Sequence, residues 1–148
     1  MNDNPVRRIR LGILGFALSL TLAALPAGAA DGAAEYRNHV MAAIGGHMQA
    51  SADILQQKVA HQGHLQMHAA ALAELADVAP LLFPEGSGGG DALPAIWENP
   101  DDFESRLASF QEAAQAFESA VSTGNGIGPA INELGQSCKS CHDDYRAE

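Results

Sequence analysis

Apolar residues recur at steps of three and four along four separate stretches of this chain, and no stretch shows sustained apolar–polar alternation. Residues three and four apart share one helical face, so each stretch predicts an amphipathic helix. The first runs from about Ala33 to Val59, with Met41, Ile44, Met48, Ser51 and Leu55 on its stripe. The second runs from about Gln62 to Leu82, through Leu65, His68, Leu72, Leu75, Ala79 and Leu82. Asn99-Pro100-Asp101 opens a third, whose stripe is Phe103, Leu107, Phe110, Ala114, Phe117 and Val121. Proline is well placed in the first turn, because its missing N–H has no intrahelical acceptor there. Thr123-Gly124-Asn125-Gly126 ends that helix, and a fourth follows from near Gly128-Pro129, with Ile127, Ile131, Leu134, Cys138, Cys141 and Tyr145 in line. Four heptad-like stripes predict an all-α fold, an antiparallel left-handed four-helix bundle.

The connection from Phe83 to Asn99, rich in glycine and proline, is the one long loop expected. A domain boundary there would leave two halves, neither able to bury a core alone. Residues 31–148 are therefore expected to form one bundle. Residues 1–30 carry a different signal: Arg7, Arg8 and Arg10, an uncharged apolar run from Leu11 to Leu25, then Pro26-Ala27-Gly28-Ala29-Ala30. That order predicts a secretory signal peptide cleaved after Ala29 or Ala30. An uncleaved anchor is the other reading, and Arg7-Arg8 hints at twin-arginine export. The mature part is expected outside the cytoplasm, in the periplasm of a Gram-negative source, with no membrane association after cleavage.

Losing three arginines and Asp3 with residues 1–30 takes the formal net charge from −10 to −12. An acidic chain disfavours nucleic acid and anionic membrane surfaces. Basic protein partners would suit it, although a solvated acidic surface is the plainer meaning.

The only two cysteines stand in Cys138-Lys139-Ser140-Cys141-His142, on the apolar stripe of the fourth helix. C-x-x-C-H is the spacing of a covalent c-type haem attachment site. On a helix both sulfurs and the imidazole share a face, so the thiols can add to the two vinyl groups of one haem while the imidazole binds its iron. Three other chemistries use such residues. A thioredoxin-like redox pair belongs beside a βαβ pattern that is missing here. Cys2His2 zinc would have to recruit His64 and His68. A disulfide across two residues closes almost no loop and stabilises little. One covalently bound haem c per chain is the expectation, and a non-haem metal-binding helical bundle is the alternative.

With these residues in place the chain resembles the class II c-type cytochromes, and cytochrome c′ most closely, over the whole mature region. The resemblance rests on Tyr36-Arg37 with Met41 four residues after the arginine, on Gly89-Gly90-Asp91-x-x-Pro94-x-Ile96-Trp97, and on Cys138-x-x-Cys141-His142-x-x-Tyr145-Arg146. It implies thioether bonds at Cys138 and Cys141, and His142 as proximal iron ligand. It also implies Arg146 near the proximal face, Arg37 with Asn38 at a haem propionate, and Asp91, Ile96 and Trp97 around the haem edge. A homodimer through the first two helices is implied as well.

Met41 falls where relatives place a residue over the distal haem face. It is bulk above a five-coordinate iron, a sixth ligand, or plain core filling. The first and third agree with each other and imply electron transfer together with NO or CO binding. The second implies a low-spin electron carrier with Met/His ligation. Periplasmic redox partners are expected either way, and no nucleophile–base pair suggests a dedicated enzyme. Gly45-Gly46 follows Met41, where close backbone approach or simple tolerance would explain two glycines in a helix. His64 and His68 have a spacing that can bind metal, yet His68 lies on an apolar stripe that also suits an interior histidine. His39 and His47 flank Met41 and are the other distal ligands to consider.

Overall fold

The computed structural model describes residues 27–148, so the expected signal segment lies, up to residue 26, outside the described residues. Helix α1 spans Ala27–Leu55, and α2 spans Leu65–Val78 between one-turn 3-10 segments at Gln62–His64 and Ala79–Leu82. A single turn, α3, covers Ala95–Glu98; α4 spans Pro100–Thr123 and α5 spans Ile127–Tyr145. The four long helices form the expected antiparallel bundle. Among the described residues there is no strand, only isolated bridges pairing Ala92 with Gly89 and with Arg146.

The stripes read from the sequence are the faces that pack. Phe103, Leu107, Phe110, Ala114 and Phe117 of α4 are buried, as are Leu65 and Leu72 of α2 and Leu134 of α5. Helix α4 packs along both α2 and α5, and α1 packs on α2. The first and last helices do not pack closely on each other. The ring of four is therefore open along one seam. Near its middle the seam narrows, and a Cβ placed on Gly135 would lie 3.6 Å from Met48 Cε.

Several boundaries differ from the periodicity, and the first helix begins at Ala27 instead of about Ala33. The first helix stops at Leu55 instead of Val59, because Gln57 takes a left-handed conformation, φ 58°. Gln57 N–H then donates to Ile54 O at 3.0 Å and Lys58 N–H to Asp53 O at 3.0 Å. This is a Schellman ending without its usual glycine. The second helix tightens into a 3-10 turn at Ala79 because Pro80 brings no N–H to continue the α ladder. The long loop contains α3, begun by Pro94, whose φ of −55° already suits a helix.

Candidate functional site

The open seam widens into a slot of about 320 Å³ at the end of the bundle where α5 finishes. One wall comes from α5: Cys141, His142 and Tyr145, with Arg146 just beyond. The facing wall comes from α1: Arg37, Asn38, Met41 and Ala42. Asp91 and Ile96 from the long loop close the edge, with Phe83 and Phe103 behind. A smaller apolar recess lined by Ile44, Leu107, Phe110 and Cys138 shares Met41, Cys141 and His142 with the slot.

The α5 wall follows from helix geometry. Cys138, Cys141 and Tyr145 continue the stripe headed by fully buried Leu134, so the sulfurs point into the seam. Tyr145 Oη donates to Asp102 Oδ2 at 2.6 Å, and its ring meets Phe103 edge-on at 5.0 Å. Arg106 holds the end of α5 by donating Nη1–H to Ser140 O at 3.0 Å, and it pairs with Asp102 and Asp144 at 3.3 and 3.2 Å. A cation there complements the negative end of the helix dipole. The chain leaving α5 is stitched to the long loop: Leu93 N–H donates to Tyr145 O at 3.0 Å and Ala147 N–H to Asp91 O at 2.8 Å.

The electrostatics keep the α5 groups neutral. Burial raises the Cys138 thiol, and burial above all pushes Cys141 up to about 11. Partial burial and then the neighbouring Arg146 lower the His142 imidazole. At neutral pH the wall presents two S–H groups and an imidazole with a free lone pair, the donor set for two thioethers and one iron bond. Both cysteines are free thiols. The residues present therefore fit a covalently held haem.

Tyr145 gives the site an alkaline limit. Its hydrogen bond to Asp102, and then burial, raise the phenol from 10.0 to about 12. A raised folded-state pKa means that its stabilisation is complete below pH 10 and is lost as pH climbs towards 12. Urea unfolding across that range should show a falling midpoint, and Tyr145→Phe should flatten this part of the profile.

On the α1 wall, Arg37 is 2% exposed and committed to the loop. Its Nη1 donates to Leu82 O at 3.3 Å, Ser87 O at 3.1 Å and Ser87 Oγ at 3.4 Å, and its Nη2 to Gly89 O at 2.8 Å. The guanidinium also lies over the Phe83 ring, 5.2 Å from its centroid. No carboxylate forms an ion pair with it among the described residues. Gly90, at φ 61°, lets the loop pass so near α1 that a Cβ would meet Asn38 Nδ2 at 2.9 Å.

The structure thus gathers Arg37, Asn38, Met41, Asp91, Ile96, Cys138, Cys141, His142 and Arg146 about one slot and its recess. Trp97 does not line the slot itself: it donates Nε1–H to Pro84 O at 3.3 Å and lines an adjoining cleft that shares Phe83, Ile96 and Phe103 with the slot. Ile96 takes the inward place on α3, and the next residue on a helix points elsewhere. His39 and His47 do not line the slot either. Phe83, Phe103 and Tyr145 were not expected as slot residues. The stripes of the third and fourth helices pointed to the last two, while nothing in the sequence pointed to Phe83.

Residues 32–146 match the family model described as Cytochrome C′. The chain belongs to the cytochrome c′ family. It is 35% identical over 127 residues to a cytochrome c′ of Rhodospirillum rubrum, covering 81% of this chain and 86% of that one. It is 34% identical over 147 residues to a cytochrome c-554 of Cereibacter sphaeroides, covering 90% and 96%. A nitric oxide complex of a cytochrome c prime variant from Alcaligenes xylosoxidans superposes with a TM-score of 0.75 at 24% identity, over 80% of this chain and 97% of that one. Cytochromes c′ carry covalent haem c, and haem c is the cofactor of this member too.

Proposed function

We propose that this cytochrome is an exported, periplasmic monohaem protein that exchanges electrons with redox partners and binds NO or CO at a five-coordinate iron. Cys138 and Cys141 would hold the haem through thioethers, and the His142 imidazole would bind its iron. Haem held there would supply a one-electron ferric–ferrous couple and a site for a small neutral ligand. The observation that carries this reading is the stretch Met41, Ala42 and Ile44 of α1 beside Cys141 and His142, which offers apolar bulk, while the wall's polar side chains, Arg37 and Asn38, lie against the long loop. NO and CO need no polar partner, whereas bound O2 gains from a hydrogen-bond donor. The nitric oxide complex of the Alcaligenes protein supports the same reading. The acidic protein surface suits basic redox partners, and α1 and α2 are the helices through which a homodimer would form. Among the described residues no helix is long and apolar enough to cross a membrane. Carriage and binding are proposed without an enzymatic turnover.

One observation favours a second reading. The Met41 thioether borders both the slot and the recess shared with Cys141 and His142, and methionine is an established axial ligand. Visible spectra of the purified holoprotein decide. A high-spin spectrum that shifts when CO meets the reduced form, and that Met41→Ala leaves high-spin, is the expected result. A sharp low-spin spectrum indifferent to CO, converted to high spin by Met41→Ala, assigns the methionine to the iron instead.

A further inference from the structure

Four of the six histidines collect away from the slot, where α1 meets the start of α2. His47 Nδ1 lies 2.9 Å from His68 Nδ1, with ring centroids 5.2 Å apart at 59°. His64 stands one helical turn before His68 and stacks on His61, at 5.0 Å and 7°. Neither His47 nor His68 lines the slot or its recess. His47 is about 9 Å further along α1 than Met41, from a rise of about 1.5 Å per residue.

Two neutral imidazoles facing each other through Nδ1 hold one proton between them: one ring donates and the other accepts. Both Nδ1 atoms face the same point, and the pair links two different helices. A divalent transition metal can take that proton's place. The geometry points to a binding site for such a cation, Zn²⁺ or Cu²⁺ in class, between His47 Nδ1 and His68 Nδ1. The donor ring moves its proton to Nε2, so both Nδ1 atoms become ligands and no net proton is released. Tetrahedral zinc with bonds of about 2.0–2.1 Å needs the nitrogens about 3.3 Å apart, a few tenths of an ångström more than the present separation. A small rotation of two half-buried rings provides this.

Among the described residues no cluster of three His, Cys, Asp or Glu side chains is already assembled around a cation site. Water therefore fills the remaining positions, with His64 the nearest further imidazole on the His68 face. Burial, and then the proximity of His47 and His64, lower the His68 pKa, which keeps its lone pair available at neutral pH. The consequence is mechanical. Helix α1 packs on α2 and hardly at all on α5, so a clip between α1 and α2 steadies the wall that carries Met41.

The test uses untagged holoprotein at mildly alkaline pH, where model imidazoles are neutral. Calorimetric titration with ZnCl2 should show one saturable site per chain, with Cu²⁺ binding more tightly. The thermal midpoint should rise with zinc concentration, as for any ligand selective for the folded state, while the Soret band stays in place. His47→Gln and His68→Gln should each weaken zinc binding by about 100-fold or more, since even outer-shell partners are worth about 10–100-fold. No saturable binding to the wild-type protein overturns the proposal. So does affinity that survives both substitutions, or that only His61→Gln or His64→Gln removes. If His68→Gln disturbs the α2 core, His47→Gln with its unchanged Soret band carries the decision alone.

Discussion

A Cys138→Ala, Cys141→Ala double variant, expressed with haem-maturation factors, should emerge without covalent haem and several kcal/mol less stable than the wild type. The first effect is all-or-none, because these are the only sulfurs in the chain able to form thioethers. The second follows from the slot. Its roughly 320 Å³ would cost up to about 8 kcal/mol as a dry apolar cavity, at about 24 cal/mol per Å³. The slot opens to solvent and is bordered by Arg37, Asn38 and Asp91, so water relieves roughly half of this. A loss of about 4 kcal/mol is a large part of the 5–15 kcal/mol that holds a domain together. Haem-stained denaturing gels read the first effect and urea midpoints the second. A double variant that keeps its Soret absorbance through denaturation and acid extraction would show that the attachment lies elsewhere.

What the sequence could say depended on whether the physics was local. Phe103 to Val121 announced a helix because burial of one face forces a 3-4 spacing, and the helix runs Pro100–Thr123 as that stripe requires. Cys138, Cys141 and His142 were legible for the same reason, being contiguous on one face. The end of α1 was not, because Gln62 from the next segment donates its side chain to Ile54 O at 3.0 Å. Arg37 was noticed only through resemblance, since its partners lie 45 to 52 residues away. The motif around Trp97 lists neighbours without saying which of them lines the slot, and Ile96 is the one that does. The bond between His47 and His68 joins two helices whose relative rotation no periodicity reveals.

Arg37→Leu should destabilise the protein by about 3 kcal/mol and loosen the loop that edges the slot. Leucine keeps much of the aliphatic stem but leaves Leu82 O, Ser87 O and Gly89 O without their shared donor. Hydrogen bonds to charged groups contribute about 1.5–3 kcal/mol each. The guanidinium's own desolvation offsets part of their sum, since burial also lowers its pKa. Arg37→Lys should recover less than half of the loss, because a point charge on a flexible stem cannot span carbonyls on both sides of Ser87 as a planar fork does. The effect should be confined in space. Ser87 N–H, bonded to Pro84 O at 3.1 Å, and Ala147 N–H, bonded to Asp91 O at 2.8 Å, should exchange with solvent faster, while amides of α4 keep their protection until global unfolding. Equal loss of protection everywhere would mean that Arg37 supports the whole core. A loss limited to residues near 82–93 and the C-terminal stitch makes it the clamp that positions Asp91 and Ile96 against the site.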